Sequence, residues 1–168
     1  MTPSAEPDRV AQLVQLARHL ASEDPQFQRV RGPNDGDRAT ARYLRELQRR
    51  AQSVFGVDYS ERKICGATGY AVDFYLERER TVVEVALGLP NPASEFEKDI
   101  LKAIVAKKHV PVDRLVFISR AGGETKCRQP GRTALIQWAR ENHQLEIEVF
   151  DLGGLPRRRP RRRAMTPP

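Results

Sequence analysis

Asp73 and Glu84 are the two residues of this sequence best placed by type and spacing to do chemistry. They fall between Tyr70 and Leu87, where apolar residues alternate with others over two short runs. In the first run Val72, Phe74 and Leu76 point one way, and Asp73, Tyr75 and Glu77 the other. In the second, Val83, Val85 and Leu87 form one set, and Val82, Glu84 and Ala86 the other. Burying the two wholly apolar sets together is the one pairing that keeps carboxylates out of the core. It puts Asp73 and Glu84 on the same face of adjacent strands. A two-residue turn at Arg78-Glu79 sets them directly opposite, roughly 5 Å apart at Cβ. Two carboxylates that close repel unless positive charge lies between them. A hard divalent cation suits the gap, because Mg²⁺ (or Mn²⁺) takes one or two carboxylates plus waters and phosphate oxygens. The competing account leaves both side chains solvated on the open face of an antiparallel sheet. Val82 and Ala86, which flank Glu84, speak against a fully wet face.

The elements that must position this pair follow from the hydrophobic period. An amphipathic helix is predicted over residues 7–21, with Val10, Leu13, Val14, Ala17, Leu20 and Ala21 on its apolar side. A second runs from about Arg38 to Phe55, with Leu44, Leu47, Ala51, Val54 and Phe55 inward and Gly56 as its stop. Strands are expected over 58–65, 70–77 and 81–87, with a turn at Gly66-Ala67-Thr68-Gly69. A helix over about 95–108, opened by a Ser94-x-x-Glu97 capping box, leads to a strand over 115–119. A helix over 130–142 and a strand over 145–152 complete an α/β fold, and Trp138 is assigned to the core with Leu135. Residues 1–152 are expected to form one domain, and 153–168 a disordered Arg/Pro-rich tail.

The stretch GYAVDFYLERERTVVEVALG resembles the core hairpin of the PD-(D/E)XK nuclease superfamily. In that pattern an Asp precedes Glu-x-Lys on the next strand, within a restriction-endonuclease-like α-β-β-β-α-β core. The order of elements from Arg38 to Ser119, about half the chain, matches it. The resemblance implies Asp73 and Glu84 as metal ligands. The lysine position falls on Ala86, which removes an ammonium group that would hold the attacking water or offset developing charge. Some members carry the lysine on the following helix, and Lys98 in SEFEKDILKAI is the replacement, with Lys102 one turn later. Surface lysine is the ordinary fate of both. Glu46 stands where many members add an acidic residue from the helix before the sheet, or is simply solvated. The implied activity is metal-dependent phosphodiester hydrolysis on DNA.

Charge bears on partners. The net charge is +7, and Arg157, Arg158, Arg159, Arg161, Arg162 and Arg163 carry six of those units, leaving +1 for the rest. Such a polycation binds nucleic acid with steep salt dependence, or another acidic surface. On the second helix Arg38, Arg42, Arg45 and Arg49 form a stripe suited to a phosphate backbone, with Glu46 the one acid within it. The alternatives to a nuclease are a non-catalytic nucleic-acid-binding module, or an assembly protein whose tail docks on an acidic partner. A protein partner or homodimer could supply specificity. Cys65 and Cys127 read as reduced thiols, and His19, His109 and His143 share no metal spacing. No membrane span or signal peptide is expected, which suits a cytoplasmic protein.

Overall fold

The computed structural model describes residues 8–24, 35–91 and 94–153. The expected basic tail, Arg157 to Arg163, lies outside them. Two helices come first, α1 (Arg9–Glu23) and α2 (Asp35–Phe55). Three strands follow, β1 (Ser60–Arg62), β2 (Val72–Leu76) and β3 (Thr81–Val85). Then come α3 (Phe96–Lys107), β4 (Arg114–Ser119), α4 (Gly123–Cys127), α5 (Pro130–His143) and β5 (Glu146–Asp151). The strands make one mixed sheet in the order β1-β2-β3-β4-β5. The β1–β2 and β2–β3 pairs are antiparallel, and β3–β4 and β4–β5 are parallel. Parallel neighbours need long crossovers, and helices supply both: α3 between β3 and β4, α4 and α5 between β4 and β5.

Helices on both faces bury both sides of the sheet, as parallel strands require. On one side α1 and α2 pack Leu13, Ala17, Leu47 and Ala51 onto Phe74, Leu76, Val83, Val85, Val116 and Ile118. On the other, α3 and α5 pack Phe96, Ile100, Ala103 and Ala139 onto Tyr75, Val82, Leu115, Phe117 and Ile147. β3 is therefore buried at every position, including Glu84. The carboxylates do not lie on an open face; they are walled in by a helix.

Several local expectations give way to packing. Tyr43 joins Leu47 and Ala51 in the core and donates its hydroxyl to Ala17 O at 2.6 Å, whereas Val54 is 62% exposed. The Ser94 capping box does not form: Ser94 Oγ accepts from the Arg132 guanidinium instead, and Glu95 occupies the N-cap. Trp138 is 45% exposed and meets His143 edge-on at 4.7 Å rather than entering the core. The first strand is confined to three residues, and α4 is an added turn of helix. Cys65 and Cys127 are both free and buried. No helix among the described residues is long and apolar enough to cross a membrane.

Candidate active site

The β2–β3 hairpin aligns Phe74 with Val83, Tyr75 with Val82 and Leu76 with Thr81. One step further along that register sets Asp73 opposite Glu84. Arg80 N–H closes the turn onto Glu77 O at 3.2 Å, with Arg80 itself in the left-handed region at φ 49°. Asp73 reaches across the hairpin: its Oδ2 accepts from Val85 N–H at 2.7 Å, one residue beyond Glu84. The two carboxylates thus converge from neighbouring strands on the face that α3 covers.

α3 brings charge to them. Lys102 Nζ lies 2.8 Å from Glu84 Oε1 and 2.9 Å from Asp99 Oδ1. It also donates to Ala71 O at 3.4 Å. Glu84 is 3% exposed, Asp99 6% and Lys102 8%. Glu84 Oε1 is fully buried, and the Lys102 ammonium at 2.8 Å is the cation it meets. The lysine at the carboxylates is therefore Lys102. Lys98, the expected replacement, pairs with Glu95 at 2.9 Å on the outer side of the helix. The buried face of α3 is broad: it takes in Phe96, Ile100, Ala103, Ile104 and Ala106 and extends to Asp99 and Lys102 at its edge. The Asp99-x-x-Lys102 spacing, one helical turn of opposite charge, was the available signal.

Glu46 is not brought to this place. Its carboxylate takes hydrogen bonds from Arg49 and Arg50 at 2.7–2.9 Å and lines a separate hollow of about 370 Å³ between α1 and α2. Arg38, Arg42, Arg45 and Arg49 are all exposed on α2. Two of them do have acidic partners: Arg42 faces Asp24 at 3.4 Å, and Arg49 faces Glu46.

The acidic pair opens into a cleft of about 500 Å³. Asp73, Glu84 and Ala86 form its sheet side, Asp99 and Lys102 its α3 side, and Thr40, Ala41 and Leu44 its α2 side. Arg120, just past β4, completes the lining. Asp73 keeps part of its surface open to the cleft while crowded elsewhere. Burial pushes its pKa up to about 6, against the opposing pull of the Val85 N–H and Lys102. Glu84 is held well above the glutamate range, first by burial, then by the Asp73 and Asp99 charges, with Lys102 working the other way. Burial also raises Asp99. For Lys102 burial acts downward, but the Glu84 and Asp99 carboxylates outweigh it and hold the ammonium form above the ordinary lysine value.

Among the described residues no group of three or more His, Cys, Asp or Glu side chains is arranged to hold a metal. A Mg²⁺-type site needs fewer protein donors, since water and phosphate complete its shell. Asp73 and Glu84 are hard-oxygen donors from adjacent strands, and three buried or half-buried acids, Asp73, Glu84 and Asp99, share the one Lys102 ammonium. That donor set fits such an ion.

Fold and site together define an α/β protein: a mixed five-stranded sheet, flanked by helices, whose cleft holds a buried acid–lysine cluster. No protein-family model, curated protein or solved structure matches the chain.

Proposed function

We propose that the chain is a metal-dependent phosphodiesterase acting on DNA, with a restriction-endonuclease-like core of the PD-(D/E)XK kind. One observation carries this reading: Asp73, Glu84 and a lysine 2.8 Å from Glu84 meet at the inner wall of a cleft. The α-β-β-β-α-β order from α2 to β4 supports it, as does the antiparallel β1–β3 unit followed by a parallel β4. Ala86 then matters less than it does in the sequence, because Lys102 delivers an ammonium group from α3 in place of the strand lysine.

Asp73 and Glu84 would hold Mg²⁺ or Mn²⁺, which when bound polarises a phosphodiester and lowers the pKa of a coordinated water. The chain's own groups do the rest. Val85 N–H holds Asp73 in place, leaving Oδ1 for a ligand. Lys102 favours the ionised form of Glu84 and places its positive charge beside the carboxylates, where it would offset charge developing on a bound phosphate. Asp99 keeps Lys102 protonated and restrains its long side chain. Asp99 and Lys102 act as a pair.

The test is nicking of supercoiled plasmid with Mg²⁺ or Mn²⁺, stopped by EDTA and by Asp73→Ala or Glu84→Ala. Absence of cleavage by the wild type with either ion, or full cleavage by both variants, sinks the proposal. A second reading rests on the Glu84–Lys102–Asp99 bridge, which can balance charge without any cation. It makes the protein a non-catalytic DNA-binding module, for which binding survives Asp73→Ala and no ion supports cleavage.

A further inference from the structure

Two guanidinium groups, Arg120 and Arg132, are partly or fully buried without an acidic partner, and they differ in one respect. Both Nη groups of Arg132 are engaged. Its N–H groups reach Leu89 O at 2.7 Å, Asn91 O at 3.4 Å and Ser94 Oγ, and its plane lies 4.8 Å from the Phe96 ring centre. It is a staple for the loop that leaves β3. Arg120 differs. Its Nε donates to Leu87 O at 2.6 Å, and its Nη groups meet no acceptor among the described residues. No carboxylate offsets the burial that lowers its pKa. The Nη groups of Arg120 are not among the fully buried polar atoms, so a ligand in the cleft can reach them. Arg120 lines the same cleft as Asp73 and Glu84, and the Leu87 carbonyl fixes the direction of its fork.

The arginine stripe of α2 divides along the same line. Ala41 lines the cleft, and Arg38 and Arg45 flank it three residues before and four after, on one ridge of the helix. Neither has a partner among the described residues. Arg42 and Arg49 lie further round the helix and are engaged by Asp24 and Glu46. None of the four lines the cleft itself, and the two without a partner, Arg38 and Arg45, are the two nearer in helical angle to its α2 wall.

We propose that Arg120 is the phosphate anchor of the site, and that Arg38 and Arg45 continue it along the α2 wall as a track for the DNA backbone. This rests on the nucleic-acid reading above. Guanidinium forks take two non-bridging oxygens at once, and positive charge at these points offsets the repulsion between DNA and the acidic pair. Backbone contacts of this kind position a duplex without reading its sequence.

The experiment measures binding of a short fluorescein-labelled DNA duplex to the full chain by anisotropy, in Ca²⁺ and over a series of salt concentrations. Arg120→Ala is expected to weaken binding roughly tenfold. Arg120→Lys keeps the charge and guards against a folding defect; it recovers only part of the affinity. Arg38→Ala with Arg45→Ala should lower the slope of log K against log salt by about 0.9 for each phosphate no longer neutralised, whereas Arg42→Ala with Arg49→Ala leaves it unchanged. Unchanged affinity and slope in both the Arg120 and the Arg38/Arg45 variants overturn the track, as does equal weakening in the Arg42/Arg49 control. Its failure is distinguishable from that of the proposed activity. Cleavage with unaltered binding in these variants leaves the nuclease standing without the track, and discriminating binding without cleavage leaves the track without the nuclease.

Discussion

Glu46 and Glu84 are both glutamates with a cation at hydrogen-bonding distance, yet their protonation moves in opposite directions. Glu46 lies on the outer part of α2, held by Arg49 and Arg50, and those hydrogen bonds draw its pKa down to about 2. Glu84 lies on β3 with Lys102 at 2.8 Å and is pushed well above the usual range. Lost hydration decides the sign at Glu84, and two more carboxylates, Asp73 and Asp99, share its one cation. The exposed cluster is electrically complete and asks for nothing. The buried one carries three acids against one lysine, the imbalance that a bound cation would relieve.

The sharpest way to break this comparison is to remove the acids. Asp73→Ala or Glu84→Ala should lower metal-dependent cleavage by at least ~10³-fold, because a metal contributes several kcal/mol to such a transition state. Glu46→Ala should leave the rate unchanged in the same plasmid assay. Equal losses at Glu46 and Glu84 would mean that the two clusters do not differ in kind. The next effect is on stability. Lys102→Ala strands Glu84 and Asp99 without their cation and should cost about 3–5 kcal/mol in urea unfolding of the metal-free protein. Lys98→Ala removes only a solvated contact with Glu95 and should leave the midpoint where it is. Matching midpoints for the two lysine variants would contradict the buried bridge.

The contrast between these lysines also marks where the sequence stops being legible. Strand parity has only two outcomes, so the alternation around Asp73 and Glu84 was enough to put them on one face, and the short turn at Arg78-Glu79 set them opposite each other. The mixed α/β sheet followed from the order of those periods. The rotation of α3 against the sheet has a continuous range, and its stripe of Phe96, Ile100 and Ile104 does not reveal that Lys102 lies at the buried edge and Lys98 does not. Ser94 showed a similar limit. Its local capping signal was sound, but Arg132, 38 residues away, reaches the hydroxyl first. Arg120 carried no signal at all, since the Leu87 carbonyl that orients it belongs to a different strand end. Trp138 sits in a helical apolar pattern, yet α5 covers the sheet edge with Ala139 and leaves the indole outside.

A smaller effect separates the clusters by pH. An acid whose pKa rises on folding favours the native state when protonated. The contribution of Asp73 is therefore complete below its ordinary value of 3.8 and is lost as pH climbs through about 6. Unfolding of the metal-free protein should show stability falling across that window, by ~3 kcal/mol at most from this residue. Asp73→Asn should flatten the curve. Mn²⁺ should bind more tightly as pH rises through the same range. A curve that rises between pH 4 and 6 in the wild type and is unmoved by Asp73→Asn would contradict the assignment.

Glu46 supplies the opposite sign and the smallest change. Its lowered pKa means that whatever it contributes is present at neutral pH and is lost only as pH falls towards about 2. Side-chain NMR titration should find it near that value in the wild type and shifted upwards in an Arg49→Ala, Arg50→Ala variant. Neutral-pH stability should hardly move, because exposed ion pairs are screened by water and salt. A large drop in stability from the double variant, comparable to that of Lys102→Ala, would show that charge pairing on the outside of α2 matters as much as burial beneath α3. The two clusters would then differ in position but not in physics.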